Sequence, residues 1–122
     1  MQKKIVQEAD MSIALIHSGD VLVHDAQSAL ELLMSVCYND NCTRIAINKE
    51  ALCEGFFVLR TGYAGEILQK AANYRMRLAV IGNFEQYTSK PLRDFIYECN
   101  NGDAVFFVED EAAAIAKLCG RG

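Results

Sequence analysis

The stretch LRTGYAGEILQKAANYRMRLAVIG, Leu59 to Gly82, sets two periodicities end to end. From about Thr61 to Tyr74, Ala64, Ile67, Leu68 and Ala71 recur at the three- and four-residue spacing of an amphipathic helix. Glu66 and Lys70 fall at i, i+4 on the opposite face, which adds a few tenths of a kcal/mol at most. From Arg77 to Gly82 the chain is apolar without alternation, the pattern of a strand buried on both faces. A helix that feeds such a strand is the repeating half of a parallel α/β layer. Gly62 and Gly65 stand in the first turn of this helix, where their spacing predicts a close approach to the strand layer.

The same alternation extends outward in both directions. Downstream, Gly82-Asn83 signals a loop, and Ser89 or Lys90 caps a third helix with Pro91 in its first turn. Leu92, Phe95, Ile96 and Cys99 form its apolar stripe, and Asn100-Asn101-Gly102 stops it. Ala104 to Val108 reads as a strand, and Asp110 caps a last helix with Ala112, Ile115, Ala116 and Cys119 inward. Upstream, Thr43 to Asn48 reads as a strand. Before it, a helix runs from the Asp25 cap to about Tyr38, with Ala26, Ala29, Leu30, Leu33, Val36 and Cys37 inward. Asn39-Asp40-Asn41 breaks that helix, and Phe56 and Phe57 anchor a short helical turn or irregular segment within Lys49 to Leu59. Lys4 to Ala9, Ser12 to His17 and Val21 to Val23 read as short strands, with a turn at Gly19-Asp20. The expected fold is α/β: a single domain over residues 1–122, with a four- to six-stranded, mainly parallel mixed sheet, an N-terminal antiparallel hairpin and about four helices.

Bulk composition narrows the function. The 122 residues are 52% hydrophobic and 23% charged, enough apolar material for one packed core. A net charge of −4 without a basic run argues against nucleic acid as a partner. No apolar run approaches a membrane span, and the start, Met-Gln-Lys-Lys, lacks the apolar core of a signal peptide. The expected location is the cytoplasm. Five cysteines, 37, 42, 53, 99 and 119, are odd in number and show no C-x-x-C pair, so reduced core thiols are expected and no metal site. No cofactor motif occurs.

In open α/β sheets ligands sit beyond the carboxyl ends of the strands. Those ends are Asn48-Lys49-Glu50, Gly82-Asn83-Phe84 and Glu109-Asp110, near the helix starts at Asp25, Thr61-Gly62 and Ser89-Lys90. Helix starts offer free N–H groups and partial positive charge to a small anion. Thr61-Gly-Tyr-Ala-Gly65 is neither a Walker loop nor a dinucleotide loop. The candidate contact residues are therefore Thr61, Gly62, Tyr63, Gly65, Asn83, Ser89 and Lys90, with no catalytic set among them. His17 and His24 flank the Gly19-Asp20 turn, with Asp20 or Asp25 as a third partner for a dyad or metal pair. Cys99 on an apolar helix face is a poor nucleophile. Arg75, Arg77 and Arg93 could meet carboxylates, with solvated surface charge as the plainer alternative.

FFVLRTGYAGEILQKAANYRMRLAVIGNF and YTSKPLRDFIYECNNGDAVFFV resemble the bacterial domain-of-unknown-function family 4180, over roughly Ser12 to Leu118. The family pattern has Asp where Asn83 stands and Ser where Pro91 stands, and it brings no activity with it. The element order is also similar to the STAS fold of anti-sigma-factor antagonists. That resemblance sets Leu59-Arg60-Thr61-Gly62 where such domains carry Asp-Ser-Ser-Gly, and implies Thr61 as a phosphoacceptor. The combined expectation is a non-catalytic regulatory or protein-interaction module, with a protein partner or a homodimer. The alternative is a binding domain or enzyme for a small anionic ligand near Thr61 and Lys90.

Overall fold

A computed structural model describes residues 1–8 and 10–120. The order is β1 (Gln2–Glu8), β2 (Met11–His17), α1 (Ala26–Asp40), β3 (Arg44–Asn48), α2 (Tyr63–Asn73), β4 (Arg77–Ile81), α3 (Lys90–Asn100), β5 (Val105–Val108) and α4 (Glu111–Cys119). The five strands form one sheet in the order β1-β2-β3-β4-β5. β1 and β2 are an antiparallel hairpin, and every later neighbour pair is parallel. The expected α/β architecture stands, with five strands and four helices.

Strand order follows chain order without reversal. Right-handed crossovers then carry each connecting helix to the same side of the sheet. Accordingly Leu33 of α1, Ile67 of α2 and Leu92 of α3 join Ile45, Ile47, Leu78, Val80 and Phe107 in one core. Among the described residues the opposite face is covered by α4, whose Ala114 and Leu118 pack on Ile13, Leu15, Ala46, Ala79 and Phe106. A sheet that never reverses has no topological switch point, so the usual crevice of doubly wound folds does not form.

Several boundaries differ from expectation for identifiable reasons. β1 begins at Gln2 because Gln2 and Lys3 pair with His17 and Ile16; its expected last residue, Ala9, lies outside the described residues. Val21 to Val23 is not a strand. β2 is already flanked by β1 and β3, and Val23 instead makes an isolated parallel bridge to Leu52. α1 starts at the expected Asp25 cap, whose carboxylate accepts from the Ser28 N–H at 2.8 Å while the Ser28 hydroxyl accepts from the Asp25 N–H. The Ser28 N–H, and after it the Ser28 side chain, holds the Asp25 carboxyl below its usual pKa. The helix runs past Tyr38 to Asp40 because Asn41, at φ 55°, makes the left-handed stop.

Residues 49–61 form three short 3₁₀ turns, Lys49–Ala51, Glu54–Phe57 and Leu59–Thr61, which bury Phe56 and Phe57. α4 turns Ala114 and Leu118 inward, with Ile115 and Cys119 partly buried, while the expected Ala112 and Ala116 are exposed. Arg44 Nε and Arg77 Nη1 donate to the carbonyls of Leu118 and Gly120, at 2.8 and 3.0 Å. The two arginines thus cap the carboxyl end of α4, and Arg77 is not free for a carboxylate ligand.

The two glycines of α2 do not mediate close packing. A Cβ at Gly65 would meet nothing within 4 Å, and Gly65 is exposed. Gly62 also has open space, but it sits at φ +80°, between the last 3₁₀ turn and α2. Its role is conformational. Close approach is needed instead at Gly55, where a Cβ would lie 3.1 Å from the Tyr63 ring. Gly65→Ala therefore stabilises the fold by about 0.5–1 kcal/mol through helix propensity. Gly62→Ala destabilises it by about 1–2 kcal/mol through the left-handed backbone. Urea unfolding of both variants checks the opposite signs.

Candidate functional site

A cleft opens beyond the carboxyl ends of β4 and β5, beside α3 and the start of α4. Its volume is about 850 Å³. One wall is the loop after β4, with Asn83, Phe84 and Tyr87; the other is α3. Arg93, Ile96, Tyr97 and Asn100 line it at i, i+3, i+4 and i+7, a single helical face adjoining the buried stripe. Glu109 and Ala113 close the end next to α4.

Aromatic packing fixes the floor. Phe84 meets Phe107 edge-on at 5.5 Å between ring centroids, and Tyr87 stacks on Phe57 at 4.8 Å. The Lys49 ammonium lies 5.4 Å from the Tyr87 ring centroid. Its stem crosses Gly82, where a Cβ would come 2.5 Å from Lys49 Cδ. Gly82 thus lets Lys49 reach over the end of β4. The Tyr87 hydroxyl is buried and has no hydrogen-bond partner among the described residues. Asn100 serves the sheet: its amide accepts from the Phe107 N–H at 2.7 Å and donates to the Phe107 carbonyl at 3.1 Å. This pairing closes part of the outer edge of β5. The Arg93 guanidinium has no ion-pair or hydrogen-bond partner among the described residues.

Of the seven expected contact residues, only Asn83 lines this cleft. Its side-chain oxygen accepts from the Glu85 N–H at 2.9 Å, shaping the loop. Thr61, Gly62, Tyr63 and Gly65 belong to the entry of α2. Thr61 is exposed, yet its hydroxyl lies 2.7 Å from the Gly55 carbonyl and 2.9 Å from that of Val58, and it accepts from the Tyr63 N–H at 3.2 Å. Ser89 caps α3 through the Leu92 N–H, and Lys90 pairs with Asp94 at 2.7 Å on the exposed surface. Pro91 has no N–H and the Arg93 N–H bonds to Ser89, so the start of α3 offers little to an anion. Tyr87 and Tyr97 escaped the sequence reading; the spacing of Tyr97 from Arg93 and Asn100 is the signal that marks it.

His17 and His24 are both exposed. No group of three or more His, Cys, Asp or Glu is placed to hold a metal among the described residues, and none of their helices is long and apolar enough to cross a membrane. All five cysteines are free thiols. Burial pushes the Cys42 thiol up, reinforced by Asp40. Burial also pushes Cys99 to about 11, with a smaller contribution from Glu98, which keeps it protonated and inert.

The family model described as "Domain of unknown function (DUF4180)" matches residues 8–118, so the chain belongs to that family. No curated protein and no solved structure matches it.

Cys99 gives a pH signature. An unfolded thiol ionises from about pH 9, whereas the folded one holds its proton to about 11. The unfolded state is therefore favoured progressively across that interval. Urea unfolding of wild type and Cys99→Ala should show a stability difference that is flat below pH 9 and falls toward pH 11.

Proposed function

We propose that this member of the family is a regulatory or protein-interaction module of the cytoplasm, without catalysis of its own, and that it uses the α3–β5 cleft as its contact surface. The observation that carries the reading is the Arg93–Tyr97 pair on one rim. Tyr97 is 71% exposed, and Arg93 is unpaired among the described residues. Tyrosine and arginine dominate the energetics of protein contacts, because each joins a large apolar area to a polar end. Phe84 and Tyr87 extend the same surface inward. Glu85 and Glu109 line it too, and they favour a partner with basic or hydrogen-bonding groups over a compact anion.

A second reading rests on the entry of α2. Gly62 brings no capping side chain, and the N–H groups of Ala64 and Gly65 find no acceptor among the described residues. A small anion, or a phosphoryl group on Thr61, would meet those donors beside Arg60. Phosphorylation would also displace the Thr61 hydroxyl from the Gly55 and Val58 carbonyls, coupling modification to the 3₁₀ segment. In this reading Gly62 and Tyr63 are contact residues, whereas Ser89 and Lys90, already engaged with the Leu92 N–H and Asp94, contribute little.

Affinity capture from the native host, followed by titration of the recovered partner, separates the two. Arg93→Ala and Tyr97→Ala should each weaken binding by about ten- to a hundredfold, about 1–3 kcal/mol, while Lys90→Ala changes it little. Capture of no partner, with a melting temperature raised by phosphates or organic acids, would favour the second reading.

A further inference from the structure

The two edges of the sheet are finished differently. At β5, Asn100 bonds both backbone groups of Phe107. At β1, no described residue bonds to the outer backbone edge, although the strand is seven residues long. A long uncovered edge is a template for another strand. Lysines usually block such edges, but here Lys3 pairs with Asp40 of α1 on one face and Lys4 with Glu111 of α4 on the other. Lys3 is drawn back over its own chain, whereas the Lys4 contact, at 3.9 Å between exposed side chains, is loose.

We propose that β1 pairs with β1 of a second copy of this chain, antiparallel about Ile5, joining two sheets into one of ten strands. The sequence QKKIVQE is self-complementary in that register. Gln2 stands opposite Glu8, Lys3 opposite Gln7, Lys4 opposite Val6 and Ile5 opposite Ile5 of the second copy. All seven residues are used, and no like charges face each other. A parallel pairing in register would set each lysine beside its counterpart. Opposed residues also share a face, as an antiparallel ladder requires.

An apolar side chain stands exposed on this edge, since Ile5 is 40% exposed. Ile5 lies on the face of the sheet that α1 covers, since it pairs with Ala14 of the core on that side. The Lys3–Asp40 bond places the end of α1 beside β1. A two-fold at Ile5 is isologous and closes, so assembly stops at two copies.

Sedimentation equilibrium of the full chain tests this. Wild type should have twice the mass of the chain. Ile5→Lys and Ile5→Glu each set a charge against its own copy and should be monomeric, with circular dichroism unchanged because the position is exposed. An equimolar mixture of the two variants should regain the dimer, since opposite charges then face each other. A monomeric wild type, single variants that stay dimeric, or a mixture that stays monomeric would each overturn the proposal.

Discussion

The structure is governed by one constraint: the parallel strands are buried on both faces, so each face must be closed. Because the strands are laid down in one direction, the crossovers deliver three helices to one face and none to the other. A single nine-residue helix, α4, covers the second face. Isolated helices shorter than about 12–15 residues are marginal in water, so α4 is held by what it packs on. Ala46 and Ala79, opposite each other on the middle strands, let it lie close, with Ala114 against them. Arg44 and Arg77, opposite each other at the starts of those strands, bind its last carbonyls. The pairing of β3 with β4 therefore sets both the depth and the anchor of α4.

The same constraint locates the cleft. With no reversal of strand order there is no switch-point crevice, and the cleft falls beside the last strand. The long loop after β4 must fold back over the carboxyl ends of the strands, and Phe84 and Tyr87 bury part of it against Phe57 and Phe107. α3 presents a mixed face there because Asn100 must meet the backbone of β5 while Arg93 and Tyr97, further up the same row, have no such duty.

Much of the fold was legible because helix and strand periodicities alternate so regularly, and because Asp25, Ser89 and Asp110 cap where their chemistry predicts. What failed lacks local contrast. The run Ala112-Ala113-Ala114 offers no apolar difference to orient α4, so its inward face is decided by Leu118 and the sheet. A glycine pair at a helix start has the same spacing whether it relieves a clash or a dihedral; Gly62 does the second and Gly65 neither. Val21 to Val23 has strand composition, but the sheet had no place for it. Of the site, Asn83 and Arg93 were visible, whereas Tyr87 depends on a loop whose path only the packing of Phe57 and Phe84 defines.

The two surfaces singled out lie at opposite edges of the sheet, and this separation has mechanical meaning. β1 and β5 are the outermost strands, so pairing at β1 leaves the cleft beside β5 untouched on each copy. At about 4.8 Å per strand, a ten-stranded sheet places its outer strands roughly 43 Å apart. A partner with two binding segments separated by such a span would engage both clefts, and the second contact would then be intramolecular. If β1 joins two copies, as proposed, the clefts would face outward at either end, an arrangement that would suit bridging.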